Sequence, residues 1–173
     1  RRIVISMPIL RILQYPDDRL HTVAAPVLQI NNNTRTLIKD MAETMYAAPG
    51  IGLAATQVDV HQRIIVIDVS ETHDQLLVFI NPEITASNGL SDYEEGCLSV
   101  PDVYGKVSRA ESITVKALGA DGKTFTMDAS GLLAVCIQHE MDHLQGKVFV
   151  EYWSRLKQAR VMAKLKKRHR YTM

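Results

Sequence analysis

His139-Glu140-Met141-Asp142-His143 follows a run in which Leu132, Leu133, Val135, Cys136 and Ile137 leave almost no polar face. A helix that is apolar all round is buried. Its next turns therefore carry titratable side chains into a core. His139 and His143, four residues apart, lie on one helical face one turn apart. They can grip a single metal ion, and Glu140, beside the first histidine, can reach a metal-bound water as general base. A helix turning a polar face to solvent is the plainer alternative. It fits poorly, because buried His, Glu, Asp and His each need partners and a metal satisfies two of them.

The chain has 173 residues, which suits one domain spanning 1–173. Apolar residues at 46% and charged residues at 23% exclude disorder as the main state. No apolar run approaches the roughly 20 residues of a membrane helix, so no membrane span is expected. Cys97 and Cys136 are too few for a disulfide framework and suit a reducing cytoplasm. Arg1 to Ser6, ahead of Met7, are too short for a signal peptide. They read as a tag remnant or an upstream extension, with an ordinary N-terminal strand as the alternative.

Patterning predicts several elements. Asn31-Asn32-Asn33-Thr34 is a helix-start cluster, and Leu37, Met41 and Met45 recur every four residues behind it. Pro49-Gly50 ends that helix. Arg63–Val69 and Leu76–Ile80 read as strands, with Asn81-Pro82 closing the second. Ser112–Leu118 alternates, and Asp121-Gly122 turns it into Lys123–Met127. Ser130 caps a helix running to about Leu144, stopped by Gly146. Lys147–Val150 is a last short strand, and Tyr152 to about Arg168 has a helix composition. Strands cluster instead of alternating with helices. The expected class is α+β, a largely antiparallel sheet around the central helix, with one helix near each end.

A metal site with an open position needs a third protein ligand. Cys97, in Glu94-Glu95-Gly96-Cys97-Leu98-Ser99, could supply a thiolate. The plainer alternative is a small buried hydrophobe, the usual fate of a free cysteine. Gly50-Ile51-Gly52-Leu53-Ala54-Ala55-Thr56-Gln57 carries no charge, and its plain reading is a tight turn into a short buried segment. Gln57 offers an amide donor at its end.

These segments, Gly50–Gln57, Glu95–Ser99 and Gln138–His143, resemble in order the three motifs of bacterial peptide deformylase. Pro101 and Gly146 also match, and the likeness runs from about Met7 to the last helix. The resemblance implies that Cys97, His139 and His143 bind one divalent metal. That metal is natively Fe2+, with Zn2+, Ni2+ or Co2+ able to substitute. It implies hydrolysis of the formyl group from formyl-methionyl nascent peptides, releasing formate. Glu140 is then the base. Gln57 and the Leu98 N–H are oxyanion donors, and Gly52 is a backbone contact to the substrate. Leu132, Val135 and Cys136 share the helical face of His139. With Ile51 and Tyr93 opposite, they are expected to form the methionine slot, although each could be plain core. A Cys97–Cys136 disulfide is not expected, and Asp142 is read as a structural hydrogen-bonding residue.

Residues 1–153 hold 12 Lys+Arg against 19 Asp+Glu, a net −7, whereas residues 154–173 hold 8 Lys+Arg and no acid. This basic tail is either a solvated face or a ribosome-docking helix, and the resemblance favours docking. Trp153, Leu156, Val161 and Leu165 could also pack it on the core. The chain is expected to act as a monomer. Two other functions fit parts of the pattern. A zinc endopeptidase would need a downstream ligand, for which only Glu151 and His169 are available. A structural metal module that binds RNA would need a closed set of four ligands, and no fourth is evident.

Overall fold

The structure, a computed structural model, describes residues 9–172. The Arg1–Ser6 extension lies outside the described residues. The helices are α1 (Asn32–Ala47), α2 (Gly131–Leu144) and α3 (Arg155–Thr172). The strands are β1 (Gly52–Ala54), β2 (Ile64–Ile67), β3 (Leu77–Asn88), β4 (Ser91–Cys97), β5 (Val100–Arg109), β6 (Ser112–Leu118) and β7 (Thr124–Ser130). A five-stranded antiparallel sheet runs β1-β2-β3-β6-β7, and β4-β5 form a separate antiparallel pair. This is the expected α+β class, with α2 packed against the sheet.

β2 explains the layering. All four of its residues are buried. Ile65 and Ile67 pack with Ala134, Ile137 and Leu144 of α2, whereas Ile64 and Val66 pack with Ile38, Met41 and Met45 of α1. Alternate side chains thus enter two cores, which is why the strand is apolar without a break. α1 starts where the asparagine cluster places it. The Asn31 side chain accepts from Thr34 N at 3.1 Å, and Thr34 Oγ1 accepts from Asn31 N at 3.2 Å. Such a cap contributes about 1 kcal/mol.

Several local expectations differ from the structure. Asn81-Pro82 does not close β3. Asn81 takes φ 51, and its amide exchanges hydrogen bonds with Val27 at 2.8 and 2.9 Å. The ladder shifts register there and continues to Asn88. A bulge tolerates both the proline and the positive φ. Lys147–Val150 is not a strand: Phe149–Tyr152 form a 3-10 turn, with Glu151 Oε1 accepting from Val148 N at 2.6 Å. Ser130 precedes α2, but its side chain makes no capping bond. β1, β4 and β5 were not expected. In α3, Val161 is buried and Leu165 and Trp153 pack beside it, but Leu156 is 64% exposed. Among the described residues no helix is long and apolar enough to cross a membrane.

Candidate metal centre and substrate cleft

Three parts of the chain converge on one point. α2 delivers His139, Glu140 and His143, all buried in its second half. β4 ends at Cys97, and Leu98 and Ser99 connect it to β5, with Cys97 paired to Val100. β1 and the 3-10 turn after it bring in Gly52 and Gln57. The donor atoms of Cys97, His139 and His143 lie within 4.8 Å of one another. Cys97 Sγ is 3.3 Å from His143 Nε2.

The surroundings fit a cation. His139 Nδ1 lies 2.8 Å from Glu95 Oε1, and Phe149 stacks against its ring. That contact fixes Nδ1 as donor and leaves Nε2 for a ligand. Burial by itself would lower the His139 pKa, but the Cys97 and Glu95 contacts outweigh it and carry it well up. Groups that favour positive charge there favour a bound cation for the same reason. Burial and the neighbouring His139 lower His143, which suits a neutral imidazole ligand. Two buried polar atoms, Glu140 Oε1 and His143 Nδ1, have no hydrogen-bond partner. A buried carboxylate oxygen without a hydrogen-bond partner, 4.0 Å from His143 Nε2 in a Cys/His/His set, fits a hydrated metal.

Glu140 is the second titratable feature. Burial pushes its carboxyl up to about 7, against the pull of His139 and Arg109. Gly52 explains how the carboxylate is positioned. A Cβ on Gly52 would stand 2.5 Å from Glu140 Oε2, so only glycine lets β1 pass this close. Gln57 is buried beside them. Its Oε1 accepts from Ala54 N at 2.9 Å, and its Nε2 donates to Ser99 Oγ at 3.1 Å and faces Cys97 Sγ at 3.5 Å.

A cleft of about 760 Å³ opens over these groups. Ile51, Gly52, Gln57, Cys97, Leu98, Leu132, Val135, Cys136, His139 and Glu140 all line it. His143 lies behind, 1% exposed. Tyr93, expected in the side-chain slot, is not among the lining residues. β4 directs its hydroxyl toward the start of α2, 3.7 Å from where a Cβ on Gly131 would be. Tyr104 and Arg168, on which sequence reading placed no role, line the cleft instead. Cys136 and Cys97 are free thiols, and burial pushes the Cys136 thiol up to about 12.

Sequence reasoning also missed Arg109. It is buried and donates to both oxygens of Glu95 at 2.8 and 2.9 Å and to Asp142 Oδ2 at 2.6 Å. Tyr152 donates to the same Asp142 oxygen at 2.7 Å. Asp142 thus has the structural hydrogen bonds read for it. The signal lay in β5, where Val107 and Arg109 are two apart and share a buried face.

A sequence model of the polypeptide deformylase family matches residues 9–159. The chain belongs to that family. It is 70% identical over 164 residues to a peptide deformylase 2 of Nitrosomonas europaea, covering 95% of this chain and 89% of that protein. A peptide deformylase of Neisseria meningitidis is 58% identical over 167 residues, covering 96% of this chain and all of the relative. Among solved structures, a peptide deformylase from Legionella pneumophila superposes with a TM-score of 0.91 at 48% identity, covering 95% and 98% of the two chains. The family is metal-dependent, and its activity, removal of the N-formyl group from nascent peptides, is the activity of this chain.

Proposed function

We propose that Cys97, His139 and His143 hold one divalent ion, Fe2+ natively, with Zn2+, Ni2+ or Co2+ able to take its place. The convergence of one thiol and two imidazoles within 4.8 Å carries this reading. When bound, such an ion polarises water and the formyl oxygen. Glu140 takes the proton of the attacking water and returns it to the departing amine nitrogen. Its raised pKa suits a group that must do both near neutral pH. Gln57 Nε2 and the Leu98 N–H donate to the oxyanion that develops on the formyl oxygen. Losing one such donor costs about 2.7–4 kcal/mol of barrier. The backbone at Gly52 contacts the substrate beside Glu140. Ile51, Leu132, Val135 and Cys136 take the methionine side chain. The products are formate and a free amino terminus.

Formate release from a short formyl-Met peptide tests this assignment, with protein prepared anaerobically with Fe2+. An acetyl-Met peptide and Glu140→Ala run beside it. The reading expects formate from the formyl peptide alone and a loss of about 10²–10⁴-fold in Glu140→Ala at unchanged metal content. No formate from protein carrying one metal per chain would overturn it. A thiolate beside Fe2+ is oxidisable, so activity should decay in air. Stable activity through hours of aerobic handling with iron bound would overturn the reading of an oxidisable thiolate beside Fe2+.

The enzyme is read as a cytoplasmic monomer, a single catalytic unit over 1–173. α3 is read as its ribosome contact, because residues 154–173 carry 8 Lys+Arg and no acid. Lys166, Lys167 and Arg170 are exposed on it. Replacing these three with alanine should weaken ribosome association and flatten its salt dependence. Unchanged ribosome binding would refute the docking role.

A further inference from the structure

The 3-10 turn Phe149–Tyr152, which leads into α3, touches the candidate metal centre at two points. The Phe149 ring lies against His139, with ring centroids 5.7 Å apart. The Tyr152 hydroxyl donates to Asp142 Oδ2 at 2.7 Å, and the same oxygen accepts from Arg109 at 2.6 Å. The other two nitrogens of the Arg109 fork grip Glu95, which in turn accepts from His139. His139 and Asp142 are three apart on α2, so this run of bonds closes into a loop. The loop ties α2, which carries both imidazoles, to β5 and to β4, which ends at Cys97. It therefore sets how the imidazoles face the thiol. Glu95 and Arg109 are buried within it. Tyr152 is its outermost member, 52% exposed, with the Arg109 guanidinium 5.3 Å from its ring centre.

Two donors from different elements hold Asp142 Oδ2. Without the hydroxyl, Arg109 alone restrains that carboxylate, which can then turn toward solvent and draw the guanidinium with it. A guanidinium is planar and moves as one body. A pull on its Asp142 side therefore tilts the two nitrogens that grip Glu95, and a bidentate pair is sensitive to that tilt. Glu95 in turn orients the His139 imidazole. We propose that Tyr152 is a positioning residue of the metal centre. Its hydroxyl acts through Asp142 and Arg109 to hold Glu95 against His139, so the turn before α3 sets how tightly the metal is held. This inference rests on Cys97, His139 and His143 being the ligands, as assigned above.

The test measures Co2+ affinity by competition with a chelator, together with the ligand-field absorption bands of the Co2+-loaded protein. Tyr152→Phe keeps the ring beside Arg109 and removes only the hydroxyl. Affinity should fall by about two- to five-fold, less than the roughly 10- to 100-fold of a group bonded directly to a ligand. The bands should shift as well. Asp142→Ala removes the acceptor and should lower affinity further. Adding Tyr152→Phe to it should then change nothing, because the hydroxyl has no path left to Glu95. Ile38→Val, buried in the separate core under α1, shows what a general loosening of the fold does to metal binding. It should leave affinity and bands as in wild type. The comparison of Tyr152→Phe with Ile38→Val stands even where Asp142→Ala does not fold. Unchanged affinity or unchanged bands in Tyr152→Phe would overturn the proposal. So would an equal fall in Ile38→Val, or an undiminished effect of Tyr152→Phe on the Asp142→Ala background. Wild type that takes up no Co2+, or Cys97→Ser that binds it as tightly with the same bands, would instead overturn the ligand assignment beneath it.

Discussion

Glu95 holds His139 in place: Oε1 accepts from Nδ1 at 2.8 Å, while Arg109 closes on both oxygens of the same carboxylate. Burial would raise the Glu95 pKa, but the Arg109 and His139 contacts bring it down, so the group is ionised. A carboxylate behind a ligating imidazole fixes its tautomer and raises its basicity, and removing it typically costs 10- to 100-fold in metal affinity. Glu95→Gln keeps the size and an acceptor but loses the charge. Metal affinity should fall by about that factor, read by competition with a chelator. An unchanged affinity, with unfolding shifted, would reduce Glu95 to a fold contact.

Gly52 and Glu140 are tied by space. Gly52→Ala puts a methyl 2.5 Å from Glu140 Oε2 and forces the carboxylate to move. A displacement of about 1 Å at a reacting group can cost about 10²-fold. kcat should drop at least ten-fold while metal content holds at one per chain. A variant of full activity would mean that Glu140 has freedom that the packing denies.

Much of this site was legible in the sequence. The i, i+4 histidines, the glutamate between them and the apolar run before them specify a buried helix presenting donors, and α2 is that helix. Cys97, the proposed third ligand, was legible only through the resemblance, because a lone cysteine is more often a small hydrophobe. β4 and β5 were missed for a physical reason. They form a two-stranded pair with one face largely in solvent, so charges, Gly96 and Pro101 mask the alternation. Missing β5 meant missing Arg109, whose buried position shows only once Val107 and Arg109 are placed on one face. Asn81-Pro82 misled because a side chain standing in for a ladder partner leaves no pattern in sequence. Arg168 was out of reach, since nothing local tells where the far end of α3 will lie.

Tyr46 and Asp68 give a pH prediction. Asp68 is buried beside the loop that leads into β1, and its N–H donates to Ile51 O at 2.9 Å. Burial would raise its pKa, but bonds from Ser70, Tyr46 and the Gln75 N–H outweigh it and hold it at about 2. A carboxyl lowered by folding stabilises fully above its unfolded pKa, and that contribution fades as pH falls through the folded one. Tyr46 donates to Asp68 Oδ2 at 2.6 Å. Tyr46→Phe should cost about 1.5–3 kcal/mol at pH 7, as expected for a hydrogen bond to a charged group. The gap from wild type should narrow between about pH 4 and about pH 2 as Asp68 protonates. Urea unfolding across that range checks it, and a gap independent of pH would show that the hydroxyl acts without the charge.

α3 is both a surface and a part of the core, which decides how its role is to be probed. Val161 is buried among Leu13, Leu20, Val103, Val107 and Phe149, and Trp153 donates to Lys106 O at 2.8 Å. Cutting the chain after Ser154 removes Val161 and Leu165 from this cluster. Burial of one such aliphatic side chain stabilises by about 1.5–3 kcal/mol. The shortened protein should therefore unfold at lower urea by at least that amount. It also loses Arg168 and Lys164 from Asp102, so the cleft rim changes with it. Weakened ribosome association in the shortened chain would then mix three effects, whereas exposed charge substitutions isolate one. A shortened chain as stable as the full one would show that the Val161 contacts are replaced when α3 is gone.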